Sequence, residues 1–509
     1  MHLLDSVGFF KKTGDKYKNL CYNIVKYYIG DEKMNKYKKL AFNTVIFAIG
    51  TFGSKILVIL LTNLYTKNIS TDGMSDKDLL DTMILFLQPV FTFALQEYLI
   101  RFGLDNNYDK REVFTTSFCM TAVGMIASAA VIPILGLIHF FGFINGYTLI
   151  LIIYLSTSSL RMLFAQFVRS RDMVKLFSLD GIIATLTLFI FNVLFISYAH
   201  LGVKGSMYAV ILSDFCSCVF LFIVGGLHKF IGKKYLSKEL AKTMLKFSLP
   251  LIPTIVMWAI PSLSDRLFIR YMTSERAALG AGPAGLYAVA NKIPNLISMV
   301  STIFFQAWNM SAITENESDD RSIFYEKVYS AYEAMLFIAS AFLILFAKPV
   351  SSIIANSSTY SEYGTVYVYT PVLIISVIFT CLNQFLGSVY SATKHTKNSF
   401  WTALIACCVN LFMNFMLIPE WGIQGASVAT FLSYYICFWV RMIDARYYVP
   451  FNFSKEKSIL NTVLLLEMSR LMIFDCNNCF LRMAILTATV CGINFRSLLS
   501  TVQKILKKG

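Results

Sequence analysis

Apolar runs of about 20 residues recur from residue 41 almost to the C-terminus, and they limit the fold more than any motif does. Each could cross a hydrocarbon core of about 30 Å as a helix. We read about fourteen: 41–65, 79–100, 114–138, 147–168, 177–199, 205–227, 247–271, 284–308, 328–347, 364–391, 399–418, 423–445, 457–474 and 480–500. The chain is 56% apolar and 15% charged, where soluble domains have about 45–50% and about 25%. Strands of a membrane barrel alternate apolar and polar residues over about ten positions; these runs are too long and too evenly apolar. The expected fold class is all-α, a polytopic membrane protein with about 14 transmembrane helices.

The net charge of +15 does not point to nucleic acid, because the basic stretches are short and interrupted. Lys and Arg sit in the connections between apolar runs, on alternate sides, as the positive-inside rule requires. Lys33, Lys36, Lys38 and Lys39 precede the first run; Arg101, Lys110 and Arg111 follow the second; Arg169, Arg171 and Lys175 follow the fourth. The richest connection carries Lys229, Lys233, Lys234, Lys238, Lys242 and Lys246. The opposite connections hold few cations, and 66–78 with its run of Asp reads as an outward acidic loop. Both termini are expected to be cytoplasmic. No cleavable signal peptide is expected. Residues 1–33 read either as an extension or as a segment lying on anionic lipid. Of 11 Cys most lie inside apolar runs, and the Cys476–Cys479 spacing lacks partner ligands, so no metal is expected.

"GVKGSMYAVILS" (202–213) is echoed by "GIQGASVATFLS" (422–433), at a constant offset of 220 residues. The copies open the sixth and twelfth runs, so they share an orientation. Parallel repeats about an axis along the membrane normal are a transporter signature. The expected organisation is a cytoplasmic segment (1–40), a six-helix lobe (41–227), a basic linker (228–246), a second parallel six-helix lobe (247–448), and two added helices with a basic tail (449–509).

Ionisable groups inside spans are costly and default to function. Lys55 falls fourteen residues into the first run, roughly 21 Å along a helix and beyond easy snorkelling. Asp265 and Arg266 lie in the outer half of the seventh run, and Lys292 in the eighth. On this reading the layer is net positive, which calls for an anionic ligand. Secondary candidates are Arg161, Asn291, Gln306 and Arg270. Glu97 either pairs with Arg101 one turn away or contributes to the site. Glu333 reads as interfacial. Pro250, Pro253, Pro261 and Pro294 mark either a bending element or static kinks.

The chain resembles the oligosaccharide flippases, bacterial or archaeal exporters of lipid-linked repeat units for O-antigen or capsule. They belong to the multidrug/oligosaccharidyl-lipid/polysaccharide (MOP) exporter superfamily. The resemblance spans about residues 35–450 and rests on "NTVIFAIGTFGSKI" (43–56), paired Pro followed by "SDRLFI" (264–269), "GLYAVANKI" (285–293), "FFQAW" (304–308) and "GIQGASVAT" (422–430). It implies two six-helix lobes around a central cavity in a prokaryotic plasma membrane. It also implies a polyprenyl-diphosphate-linked oligosaccharide as substrate, with Lys55, Arg266 and Lys292 receiving the diphosphate. Membrane lipids and other polysaccharide-assembly membrane proteins are the implied partners. No cofactor is expected, with proton or sodium coupling through Asp265 left open. A cation-coupled multidrug exporter of the same superfamily is the nearest rival. A glycan polymerase or glycosyltransferase would need a larger outer domain than these connections provide, and no nucleotide-binding signature appears, so the chain is not read as an enzyme.

Overall fold

The computed structural model describes residues 57–314, 321–474 and 478–507, apart from 58, 106, 172 and 394. Among these residues there is no strand, and from the second run onward every apolar run lies in a helix or a broken pair of helices. The first run is described only at its end, helical over 59–68. The helices are α1 (Thr71–Phe91), α2 (Leu95–Leu104), α3 (Lys110–Leu135), α4 (Thr148–Ser170), α5 (Val174–Asn192), α6 (Gly202–Val224), α7 (Lys238–Ser248), α8 (Ile252–Tyr271) and α9 (Ala281–Ala290). They continue as α10 (Asn295–Thr314), α11 (Arg321–Leu345), α12 (Ala347–Ile354), α13 (Val366–Ala392), α14 (Thr396–Trp421), α15 (Ile423–Tyr448), α16 (Lys455–Ile473) and α17 (Cys479–Lys507). Among the described residues nine helical segments are long and apolar enough to span a membrane, or ten if α1 and α2 count as one. Ile126, Leu137, Ile223 and Ile443 are all at least 67% exposed, the pattern of helices whose outer face meets lipid. The chain is a multi-pass membrane protein.

Local chemistry sets the helix ends. The Ser70 and Ser237 hydroxyls cap α1 and α7 by accepting from Gly73 and Leu240 N–H, each at 3.2 Å, and Asp109 caps α3. These satisfy N–H groups that have no partner within the helix. α1 and α2 meet at 49°, through Phe93 and Ala94 at φ 55° and 53°; left-handed backbone at non-glycine residues costs about 1–3 kcal/mol each. The run containing Pro294 is likewise broken, over residues 291–294, because Pro supplies no N–H. Pro261 lies inside α8, whereas Pro253 opens that helix and Pro250 sits in the 3-10 turn before it. At a first turn no N–H is missed, so those two start the helix rather than bend it.

The echoed segments play one structural part twice. Gly202 and Gly422 adopt φ 55° and 57°, a region open to Gly at little cost. One turn on, a Cβ on Gly205 would lie 3.0 Å from the Phe195 carbonyl oxygen, and one on Gly425 2.2 Å from that of Leu417. In each copy the chain reverses on the first Gly, and the second lets the next helix start against the end of the one before.

Packing divides the molecule unevenly. One buried core draws on α2, α3, α4, α6 and α7, at the basic end of the bundle. A second draws on α10, α11, α13 and α15, with α16 and α17 packed against α11 and α13. A third joins both halves at the opposite end, with Met74 and Leu80 of α1, Leu267 of α8, Tyr287 of α9 and Ile418 of α14. Two of the cores therefore share no residue, and the third joins helices from the N-terminal and C-terminal parts of the chain.

Candidate functional site

Where the lobes meet, α1 packs on both α8 and α9. The approach is close, since a Cβ on Gly285 of α9 would lie 1.8 Å from the Thr71 carbonyl oxygen. This brings Asp78 of α1, 4% exposed, onto two cations of the other lobe. Arg266 donates its Nε–H to Asp78 Oδ2, and Lys292 Nζ stands 3.1 Å from Oδ1. The Arg266 side chain is 10% exposed and also donates to Ser262, while that of Lys292, at the break between α9 and α10, is 28% exposed. One turn toward the shared end, Arg270 pairs with Asp76 at 2.7 Å and donates to Ser75 at 2.9 Å. Lys77 pairs with Asp81 at 2.6 Å, and Asp81 accepts from the Tyr154 hydroxyl at 3.2 Å.

Two expectations change here. Residues 71–78 are not an outward loop but the first turns of α1, and Lys77 and Asp78 are buried. The described cations do not stand alone either: Asp76, Asp78 and Asp81 face Arg266, Arg270, Lys77 and Lys292, so most of the positive charge is answered within the chain. The physical reason is register. Ser70 starts the helix eight residues before the apolar run does, so acids that read as loop are carried into the lobe junction. Lys55 lies outside the described residues.

Asp265 is turned away from this group into the second lobe, 2% exposed. It accepts from Tyr287 Oη at 2.7 Å, Thr430 Oγ1 at 2.6 Å, Asn414 Nδ2 at 2.6 Å and Asn410 Nδ2 at 3.1 Å. Among the described residues it forms no ion pair. A buried carboxyl group is thus held by four neutral donors, with no cation set against it among the described residues. Asn414 Oδ1 is buried beside it without a hydrogen-bond partner, so carboxylate, hydroxyl and amide oxygens converge on one place.

The remaining candidates are dispersed. Arg161 lies within the first lobe, 3.1 Å from Asp214 and 3.8 Å from Asp180, with Ser158 donating to Asp214 and Ser217 to Asp180. Asn291 donates to the Tyr287 carbonyl on its own helix at 2.8 Å. Gln306 lies outside the residues whose side chains are described. Glu97 is exposed and does not pair with Arg101, whose guanidinium instead lies 4.3 Å over the Phe247 ring. Glu333 is 3% exposed, with the Tyr329 hydroxyl 3.4 Å away. Sequence reading put Asp78 in a loop and passed over Asp180, Asp214 and the amides around Asp265. Asn410 and Asn414 carried a signal, since two Asn one turn apart in an apolar run must face each other's partner.

The sequence matches no family model and no curated protein. Solved structures do match. The lipid II flippase MurJ in an inward closed conformation gives a TM-score of 0.68 at 15% identity, covering 89% of this chain and 100% of that chain. An inward-facing MATE family transporter of the MOP superfamily gives 0.63 at 13%, covering 77% and 95%. A MOP superfamily transporter from Pyrococcus furiosus gives 0.53 at 14%, covering 82% and 96%. At these identities the likeness is one of fold, and the fold is that of the MOP-superfamily transporters.

Proposed function

We propose that this chain is an alternating-access transporter moving a polyprenyl-diphosphate-linked oligosaccharide from the inner to the outer leaflet of a prokaryotic plasma membrane, for cell-surface polysaccharide assembly. The observation that carries this reading is the sharing of Asp78 by Arg266 and Lys292 across the lobe junction. Two cations on one carboxylate suit exchange for a diphosphate, which offers more acceptor oxygens and more charge. The basic end is placed in the cytoplasm, so the lobes part on the side where the lipid-linked sugar is made. The diphosphate then enters between them, takes Lys292 and Arg266 from Asp78, and weakens the contact that closes the far end. From its position in the first apolar run, Lys55 is proposed to meet the same diphosphate. The lobes rock, and the prenyl chain stays in lipid throughout. Asp265 supplies the coupling site, its oxygens suited to a proton or a sodium ion. The neighbouring fold of a lipid II flippase supports a lipid-linked substrate.

Binding tests the site. Removing one charge-assisted contact costs about 1.5–3 kcal/mol, so Lys292→Gln and Arg266→Gln should each weaken a short-chain prenyl diphosphate by roughly tenfold or more, read by calorimetry on purified protein. Unchanged affinity, or preference for a lipophilic organic cation such as tetraphenylphosphonium, would favour a multidrug exporter instead.

A further inference from the structure

We infer that the first lobe carries a second anion site, separate from the lobe junction, that takes the phosphate group of an anionic lipid headgroup at the basic end. A cavity of about 370 Å³ opens there between the start of α3, the end of α4 and the turn after α6. Its walls include Arg111, Arg171 and Lys229, with Val224 and Phe230. Among the described residues none of these three cations forms an ion pair, whereas Arg161, Arg266 and Arg270 each do. The nearby Asp109 carboxylate is turned to the Arg111 backbone N–H, at 2.8 Å.

The two guanidiniums are fixed without being neutralised. Arg171 donates to the Gly225 carbonyl at 2.9 Å and lies 4.5 Å over the Phe230 ring. Arg111 donates to the Tyr235 hydroxyl at 2.7 Å. Each uses part of a five-donor fork and keeps N–H groups for a further acceptor. Gly226, at φ 63°, turns the chain so that Lys229 closes the third side. Three like charges around one hollow repel unless an anion sits among them, and planar guanidiniums match phosphate oxygens in pairs.

The rim points to the source of that phosphate. Ile223 and Val224, next to the cavity, are 67% and 56% exposed. Cations within and lipid-facing aliphatic side chains at the edge match a headgroup with acyl chains attached. Basic pockets between helices on the cytoplasmic side are a recurring form of lipid recognition. The site does not depend on what the central cavity transports.

The test is lipid titration of the purified full-length protein, counted by native mass spectrometry, with phosphatidylglycerol, phosphatidylcholine and, separately, inorganic phosphate. Arg171 is kept because it holds the turn; the pocket is altered by Arg111→Gln with Lys229→Gln. A control, Lys238→Gln with Lys242→Gln, removes the same charge from the exposed face of α7. Phosphatidylglycerol affinity should fall roughly tenfold in the pocket variant, with little change in the control or in Lys292→Gln and none for phosphatidylcholine. Inorganic phosphate binding that falls in the same variant, without lipid preference, would keep the anion site and assign it a soluble phosphate. A pocket variant indistinguishable from the native protein with both ligands, or a control that loses as much, overturns the proposal.

Discussion

Asp78→Ala should release the closed end of the bundle. The substitution leaves Arg266 buried and Lys292 half-buried with no shared counter-charge, and removing one partner of a buried pair costs about 3–5 kcal/mol. That cost falls on the conformation in which α1 packs against α8 and α9, where the three side chains meet. A shift of that size changes a population ratio by roughly a hundredfold or more. Spin labels at Tyr198 of the first lobe and Glu275 of the second, both exposed, report the separation in a cysteine-depleted background. The native protein should give one short distance, and Asp78→Ala a longer one. Asp78→Glu keeps the charge and should retain much of the short population. An unchanged distance in a folded Asp78→Ala variant would show that hydrophobic packing alone closes this end.

Asp265→Asn should abolish transport while leaving the fold and the diphosphate affinity in place. The isosteric amide keeps the volume and can rotate to meet Tyr287, Thr430, Asn410 and Asn414, so little packing is lost. What disappears is the carboxyl group's ability to take up or release a proton or to hold a cation, the property on which the proposed coupling rests. Transport in proteoliposomes should fall at least roughly tenfold, with prenyl-diphosphate affinity changed by less than about threefold. Asp265→Ala is the harsher variant. It orphans four buried donors at about 1–3 kcal/mol each, and thermal unfolding should show it. Asp265→Asn with native transport under both a proton gradient and a sodium gradient would leave Asp265 a structural residue.

The runs of apolar residues made the helices legible, since hydrocarbon thickness sets their length, and the Gly echo made the repeat legible, since each copy needs one left-handed residue and one without a side chain. The junction was only half legible. Arg266 and Lys292 stand out as charges in apolar runs, but the acid that answers them is 188 residues from one and 214 from the other. No local spacing reveals such a pairing. The acids were hidden for a second reason: Asp72, Asp76 and Asp78 follow Ser70 in a polar stretch that looks like a loop until its Ser is seen capping a helix. Pro content located the break at Pro294, yet the sharp bend between α1 and α2 comes after Pro89, at Phe93 and Ala94, which composition gives no reason to suspect.

Flipping itself is the most direct measurement. Protein reconstituted in liposomes with a lipid-diphosphate-linked oligosaccharide would be scored by how much sugar becomes accessible to an impermeant modifying reagent. The native protein should expose the inner-leaflet pool, and Lys55→Ala, Arg266→Gln and Lys292→Gln should each lose most of that exposure. No exposure by native protein of verified folding and orientation, or exposure undiminished in all three variants, would contradict transport through the cationic junction.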